Sequence, residues 1–255
     1  EKCDRKCAIA MIEVAGQNYP FGGSCNKYYN QRLNIQTDPG KNDYVKIRQD
    51  LVFRKYVSLP AGSGRTIGIP KTFLVNTLYP LYYNFFTKLG FKVILANEVD
   101  PVGVAKVQSS FCYPVEIAHG MFQNLLNQKP DYIFLPHITE MKNDDDNQHK
   151  RTCVFVQGEA YYLKSAFGDE KLPVILSPVI NFAESTEAVS RVFVKIARDL
   201  GLDADLAKDA FNFANNQLQA MLREFKDLGR RAIREIEADK NKFGIVLFGR
   251  PYNTF

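Results

Sequence analysis

The stretch RTIGIPKTFLVNTLYPLYYNFFTKLGFKVILA, residues 65–96, decides the fold class of this 255-residue chain. It predicts a short strand from Thr66 to Pro70, then a helix rich in Leu, Tyr and Phe from Thr72 to Leu89, then a buried strand from Phe91 to Ala96. Gly90 stands just past the helix, where a left-handed residue commonly ends one. A strand, a crossover helix and a second strand are typical of parallel pairing.

The same alternation continues toward the carboxyl end. It predicts a helix over 113–127, a third strand over 131–136, a helix over 158–167 and a fourth strand over 173–177, with a long loop between the third strand and its helix. Four strands joined by helical crossovers indicate an α/β fold with a doubly wound parallel sheet.

The segments outside this alternation suggest further parts. A strand over 8–14 and a helix over 43–55 precede the alternation. Two helices, over 185–200 and over 203–239, follow it and are interpreted as a connector that packs on the sheet domain. We expect a small cysteine-bearing N-terminal element over 1–60, the α/β domain over 61–182, a helical connector over 183–241, and the first strand of a following, truncated domain over 242–255.

Composition excludes several classes of protein. Hydrophobic residues make up 45% of the chain, enough for a real core. The net charge of +5 is not concentrated in a cluster of Lys and Arg, so no nucleic-acid partner is expected. No apolar run approaches the ~20 residues that span a bilayer, so no membrane segment is expected. Without a secretory signal pattern, the expected location is the cytoplasm.

Five cysteines are the most distinctive residues of the chain. With no signal segment, an odd number favours reduced thiols or metal ligands over disulfides. Cys3 and Cys7 are spaced C-x₃-C, and Cys25 follows after turn-forming residues that let three thiols converge. Three thiolates can bind three corners of an iron–sulfur cubane or three positions around zinc. Ordinary reduced thiols remain the alternative.

The other two cysteines occupy equivalent places in the predicted sheet. Cys112 stands just before the helix that follows the second strand, and Cys153 a few residues before the helix that follows the third. Connections after parallel strands emerge on one rim, where ligands bind, and a helix N-terminus stabilises a thiolate. Each alone could be a small buried side chain. Two at equivalent positions favour a site on this rim.

Three further polar residues are expected near these thiols. Glu116 and His119 lie four and seven residues after Cys112, so all three share a helix face. His137 follows the third strand and could be a ligand, a proton donor or an ordinary loop histidine. We interpret Glu116, His119 and His137 as possible supporting residues. The phosphate-binding motif G-x-x-x-x-G-K-[ST], the zinc motif H-E-x-x-H and the nucleophile motif G-x-S-x-G are all missing from the sequence.

Five short motifs then carry a resemblance to a known family. They are IGIPK (67–71), GFKV (90–93), SSFCYPVEIAHG (109–120), DYIFLPH (131–137) and TCVFVQGE (152–159). Together they resemble the acyl-CoA dehydratase activase-related proteins, also called CoA-substrate-specific enzyme activases. The chain is similar in part to the 2-hydroxyacyl-CoA dehydratase and double-cubane cluster proteins. The terminal GRPYN (249–253) looks like the start of that family's next domain.

The resemblance implies Rossmann-like domains whose cysteines hold a [4Fe–4S] or double-cubane cluster. It also implies a partner, an ATP-hydrolysing activase domain or protein, that delivers low-potential electrons, and a possible acyl-CoA substrate. Cys112 and Cys153 match the family's cysteine motifs and take the cluster role. Cys3, Cys7 and Cys25 match a cysteine-rich N-terminal element with a less defined role. A double cubane takes six cysteines, so the sixth would lie beyond Phe255, unless the cluster is single or absent.

Three hypotheses follow. The first is an iron–sulfur domain that relays low-potential electrons toward a CoA thioester or another small substrate, and is not catalytic alone. The second is a binding or assembly module whose N-terminal cysteines, with a fourth ligand, hold structural zinc. The third is a CoA- or nucleotide-binding domain that uses the sheet crevice without metal, and it rests on the fold alone.

Overall fold

The computed structural model describes residues 8–22, 30, 33–34, 43–96, 98–109, 112–142, 150–168, 171–246, 248–250 and 252. The chain divides into two compact units, Glu1–Tyr44 and Val45–Phe255. The predicted division into four parts stays a prediction. None of the helices in these described ranges is both long enough and apolar enough to cross a membrane.

The first unit contains a β-hairpin. Strands β1 (Ile9–Val14) and β2 (Gln17–Gly22) pair antiparallel around Ala15 and Gly16, which both have positive φ, as two-residue hairpin turns require. The strand predicted over 8–14 therefore forms. Cys3, Cys7 and Cys25 lie outside the described residues, so their predicted roles are unaffected.

The second unit contains the α/β fold that the sequence predicted. Its helices are α1 (Tyr44–Asp50), α2 (Val75–Lys88), α3 (Pro101–Val104), α4 (Tyr113–Gln128), α5 (Val154–Gln157), α6 (Glu159–Ala166), α7 (Thr186–Asp199) and α8 (Ala204–Glu237). Its strands are β3 (Thr66–Pro70), β4 (Lys92–Ala96), β5 (Tyr132–Phe134), β6 (His137–Glu140), β7 (Val174–Leu176) and β8 (Val179–Asn181). A π-helical turn, Leu51–Lys55, continues α1.

The main sheet is parallel throughout, in the order β4-β3-β5-β7. The predicted parallel α/β sheet is thus confirmed. Strand β3 lies inside the sheet and is almost wholly buried, which fits its run of apolar residues without polar alternation. Helices cover both faces. Residues of α2, α7 and α8 form one core with Ile67 and Ile69, while residues of α4 and α6 form a second with Ile133 and Leu135.

Two short strands extend this sheet. Strand β6 forms where the sequence predicted a long loop, and β8 forms just after the predicted fourth strand. Strand β6 pairs in parallel with β8, and the backbone N–H groups of Leu135 and His137 reach the carbonyls of Leu176 and Pro178 across the break. Pro136 and Pro178, which have no N–H to donate, stand where the main strands end and the short ones begin. Two strands of the sheet therefore continue, as β6 and β8, beyond the ends that the sequence predicted for them.

The closing helices pack on the sheet domain, as expected for a connector. The first half of helix α8 is buried; the helix contacts α2 and contributes Phe211, Leu218 and Met221 to the core. In the described part of the segment after it, residues 242–246 and 248–250, no strand forms. Phe243, Ile245 and Phe248 are exposed there. The prediction that this segment opens another domain stays a prediction.

Candidate functional site

The site lies on the rim where the crossover helices begin. Cys112 is the N-cap of α4, and its carbonyl accepts hydrogen bonds from the backbone of Val115 and Glu116. Cys153 is the N-cap of α5, and its carbonyl accepts from Val156. Both thiols are free and partly buried. Cys112 thus stands directly before a helix, as predicted. Cys153 lies a few residues before α6, as predicted, and directly before the short helix α5, which the sequence did not predict.

The hydroxyl group of Tyr162 in α6 interacts electrostatically with both thiols. Burial raises the pKa of its hydroxyl well above the usual range, and the charges of Glu159, Cys112 and Cys153 raise it further. Both thiols therefore lie within electrostatic range of one buried hydroxyl, although the two cysteines are 41 residues apart in the chain.

The Tyr162 hydroxyl has no hydrogen-bond partner among the described residues, although it is shielded from solvent. A buried hydroxyl without a partner costs about 1–3 kcal/mol of stability. Native proteins pair nearly all such groups, with protein, water or a bound species. The orphaned hydroxyl beside two thiols is the feature that most strongly indicates a binding site here.

Two further residues, Arg250 and Tyr252, interact with the Cys153 thiol. The guanidinium group of Arg250 donates hydrogen bonds to the sulfur of Cys153 and to the hydroxyl of Tyr252. The ring of Tyr252 meets the ring of Phe73 edge to face, with centroids 5.2 Å apart. Burial raises the pKa of Tyr252, and the charge of Arg250 partly offsets that rise. The sequence had predicted GRPYN only as the start of another domain, so both residues were missed as site residues.

The loop between β3 and α2 contacts Tyr252 and Glu159 and is strained. Phe73 has a φ of 37°, in the left-handed region that side chains with a Cβ rarely adopt. Beside it, the backbone N–H of Thr72 donates to the carbonyl of Pro70 at 2.8 Å, which closes a very tight turn. Conformations of this kind persist where packing enforces them and cluster at functional sites.

A buried carboxyl group stands at the same loop. Glu159, the first residue of α6, is only 5% exposed, and the Thr72 hydroxyl donates to its Oε1 at 2.6 Å. Burial raises the pKa of Glu159 to about 7, although the Thr72 hydrogen bond works in the opposite direction. No role was predicted for Glu159 from the sequence. Its place on the same helix face as Ala160 and Leu163 could have indicated that its carboxyl group is buried.

The predicted supporting residues take different places. His119 is buried, stacks on the ring of Tyr162 at 5.4 Å, and its Nδ1 donates to the Val115 carbonyl. Burial lowers its pKa, which favours the neutral ring. His137 donates from Nδ1 to the Gln157 carbonyl and stacks on Tyr161. Glu116 is half-buried in the first turn of α4. His119 thus supports Tyr162, whereas His137 supports the start of α6.

No group of three or more His, Cys, Asp or Glu that could hold a metal ion exists within the described parts of the chain. The described residues of the site supply two thiols, Cys112 and Cys153. Two thiols beside a hydroxyl with an unused hydrogen bond fit half of the four-thiolate set of an iron–sulfur cluster.

The orphaned hydroxyl leads to a first prediction. In the metal-free chain, Tyr162→Phe should leave the free energy of unfolding unchanged or raise it by about 1 kcal/mol, because it removes an unpaired buried group. The matched control is Tyr83→Phe, since the Tyr83 hydroxyl donates to the Leu59 carbonyl at 2.9 Å. That change should cost about 1 kcal/mol. Equal losses in both variants, measured by urea unfolding, would show that Tyr162 has a partner after all.

Comparison with known protein families gives one match. The family model described as the CoA enzyme activase uncharacterised domain matches residues 66–255, about three quarters of the chain, and so includes both cysteines of the site. Searches of curated proteins and of solved structures return no match.

Proposed function

The chain belongs to the family of the CoA enzyme activase uncharacterised domain, and on that premise we propose that it binds an iron–sulfur cluster in an ATP-dependent activase system. In that system it would relay low-potential electrons toward a CoA thioester or another small substrate. The observation that carries the proposal is the pair of free thiols, Cys112 and Cys153, around the unpaired hydroxyl of Tyr162.

Each residue of the site has a defined task in this proposal. Cys112 and Cys153 would hold the cluster as two of its thiolate ligands. Tyr162 would donate a hydrogen bond to a sulfur, which satisfies its hydroxyl and raises the reduction potential. Arg250 would offset the negative charge of the Cys153 thiolate, to which it already donates a hydrogen bond. The bound cluster would supply one-electron transfer.

The partner and the substrate rest on the family alone. An ATP-hydrolysing activase domain or protein would deliver the electron, and an acyl-CoA would be the acceptor. Among the described residues, Cys112 and Cys153 would contribute two of the thiolates that a cluster takes. Whether Cys3, Cys7 and Cys25 supply further cluster ligands is tested by substitution, because these residues lie outside the described residues.

The test is anaerobic reconstitution with iron and sulfide, followed by visible absorbance and iron analysis. Wild type should become brown with about four irons per chain. Cys112→Ala and Cys153→Ala should each lose most of that iron, whereas Ser165→Ala, on the exposed surface of α6, should bind as wild type does. Cys3→Ala, Cys7→Ala and Cys25→Ala show which of the remaining thiols contribute.

Two results would contradict the proposal. The first is full iron binding in the Cys112→Ala and Cys153→Ala variants, which would place the cluster elsewhere. The second is a colourless chain that binds one zinc ion and loses it in Cys3→Ala alone. That outcome would establish the structural-zinc hypothesis instead.

A further inference from the structure

A small cavity lies at the carboxyl ends of β3 and β5. Its volume is about 10 Å³, close to what one water molecule occupies. Its walls are mostly apolar and come from the strained β3–α2 loop and from the chain around Pro136. Three residues with polar side chains line it, namely Thr72, Tyr82 and Glu159.

These polar groups are incompletely paired. The Tyr82 hydroxyl is fully buried and has no hydrogen-bond partner within the described residues. The Glu159 carboxyl accepts one hydrogen bond, from Thr72. The charge of Glu159 raises the pKa of Tyr82 beyond the rise that burial causes, so the carboxyl lies close to that hydroxyl. A cavity of this size with two or more polar partners can hold an ordered water.

The charged and titratable groups around the cavity do not neutralise Glu159. Two tyrosines interact with the Glu159 charge, Tyr82 from α2 and Tyr162 from α6. The charge of Glu159 raises the pKa of both. From the β3–α2 loop it is Thr72, which is uncharged, while the ammonium group of neighbouring Lys71 lies over the Phe53 ring at 4.4 Å. The cations Arg and Lys are missing from the residues that line the cavity.

We propose that Glu159 is a buried proton store for the cysteine site, with a single water molecule in the cavity joining its carboxyl group to the hydroxyl of Tyr82. The cavity would hold one water molecule, and the Glu159 carboxyl would hold one proton. Glu159 acts as a positioning residue, because it affects the cysteine site through the water and through its charge on Tyr162.

The role of this proton rests on the proposed function. If Cys112 and Cys153 hold the proposed iron–sulfur cluster, that cluster would accept one electron from a low-potential one-electron donor and so add one negative charge at the site. A Glu159 carboxylate that takes up one proton from solvent would become a neutral carboxylic acid and balance that charge. Because burial raises the pKa of Glu159 to about 7, both forms exist near neutral pH, so the exchange needs little driving force.

The first test uses the metal-free chain with ¹³C-labelled glutamate, followed by infrared spectroscopy as the pH is changed. Wild type should show one carboxylic acid band that persists far above the ordinary glutamate range and disappears with a midpoint near pH 7. Glu159→Gln should lack this band. Its presence in that variant, or its loss from wild type near pH 4.5, the ordinary value, would overturn the proposal.

Two variants test the water bridge and the Thr72 contact. Tyr82→Phe and Thr72→Val should each move the midpoint upward by about one pH unit, because each removes hydrogen bonding that favours the carboxylate. Thr87→Val is the matched control, since Thr87 is a buried threonine of α2 that does not line the cavity. An unchanged midpoint in Tyr82→Phe would rule out the bridge.

The last test separates this inference from the proposed function. In the reconstituted chain, chemical reduction should increase the carboxylic acid band in wild type and leave Glu159→Gln unchanged. A chain that binds iron and is reduced without any change in the band would overturn the role of the proton and leave the cluster proposal standing. A chain that binds no iron, but in which Glu159 titrates near pH 7, would overturn the cluster proposal and leave the buried proton on Glu159 standing.

Discussion

We expect Glu159→Gln to be more stable than wild type at neutral pH, by a margin that grows by about 3 kcal/mol between pH 4.5 and just above pH 7. Burial raises the folded-state pKa of Glu159 from 4.5 to about 7. In that window the folded wild type holds a proton that the unfolded chain has released, so its stability falls as pH rises. The glutamine has no proton to lose, while its side-chain oxygen can still accept from Thr72.

The measurement is urea unfolding of both chains at several pH values. The matched control is Glu98→Gln, since Glu98 is exposed, and its stability should follow that of wild type throughout. A constant difference between Glu159→Gln and wild type from pH 4.5 upward would contradict the account. It would mean that Glu159 is ionised in the folded protein over the whole range.

The second large effect is expected in the core beneath the site. Phe86→Ala should lower the free energy of unfolding by about 3–5 kcal/mol. Phe86 is fully buried in α2, and its ring packs edge to face on Phe85, Phe91 and Phe134 with centroids 5.0 to 6.0 Å apart. Truncation would leave a cavity between the helix and the sheet, because close-packed neighbours relax only in part.

Phe248→Ala is the control for this change. Phe248 is 94% exposed in the segment after α8, so its removal should alter stability by less than about 0.5 kcal/mol. Comparable losses in the two variants would show that the segment after α8 packs on the protein. Thermal unfolding followed by circular dichroism distinguishes these outcomes.

Local sequence patterns predicted the main elements well. Strand β3 forms at the predicted residues, Thr66–Pro70, because an apolar run without a helical period fits a strand buried on both faces. Helix α4 begins at the predicted Tyr113 because Pro114 suits a first turn. The sequence missed β6 and β8, since strands of three or four residues beside prolines give little periodic pattern.

The candidate site was predictable only in part. Topology alone brings Cys112 and Cys153 to one rim, since both precede crossover helices of a parallel sheet. The interactions of Tyr162 and Arg250 with those thiols depend on side-chain packing between separate elements, which periodicity does not encode. Nothing in the spacing of Cys3, Cys7 and Cys25 tells whether they join the same site.

A strained backbone and an unpaired hydroxyl lie near this rim. Phe73 has a left-handed backbone, and the hydroxyl of Tyr162 lacks a partner within the described residues. Each lowers the stability of the metal-free chain by an amount of order 1 kcal/mol or more. Unpaired buried groups also occur elsewhere, at Thr87 and Gln123, so what indicates a binding site is the position of Tyr162 within electrostatic range of two free thiols.

The most direct test of the central claim is the iron, sulfide and zinc content of the 255-residue chain isolated without exposure to air, beside Cys112→Ala and Cys153→Ala. If Cys112 and Cys153 hold an iron–sulfur cluster, the chain should contain iron and sulfide in equal amounts, about four of each per chain, with little zinc. Each variant should lose both iron and sulfide. One zinc ion per chain without sulfide, unchanged in both variants, would contradict this claim.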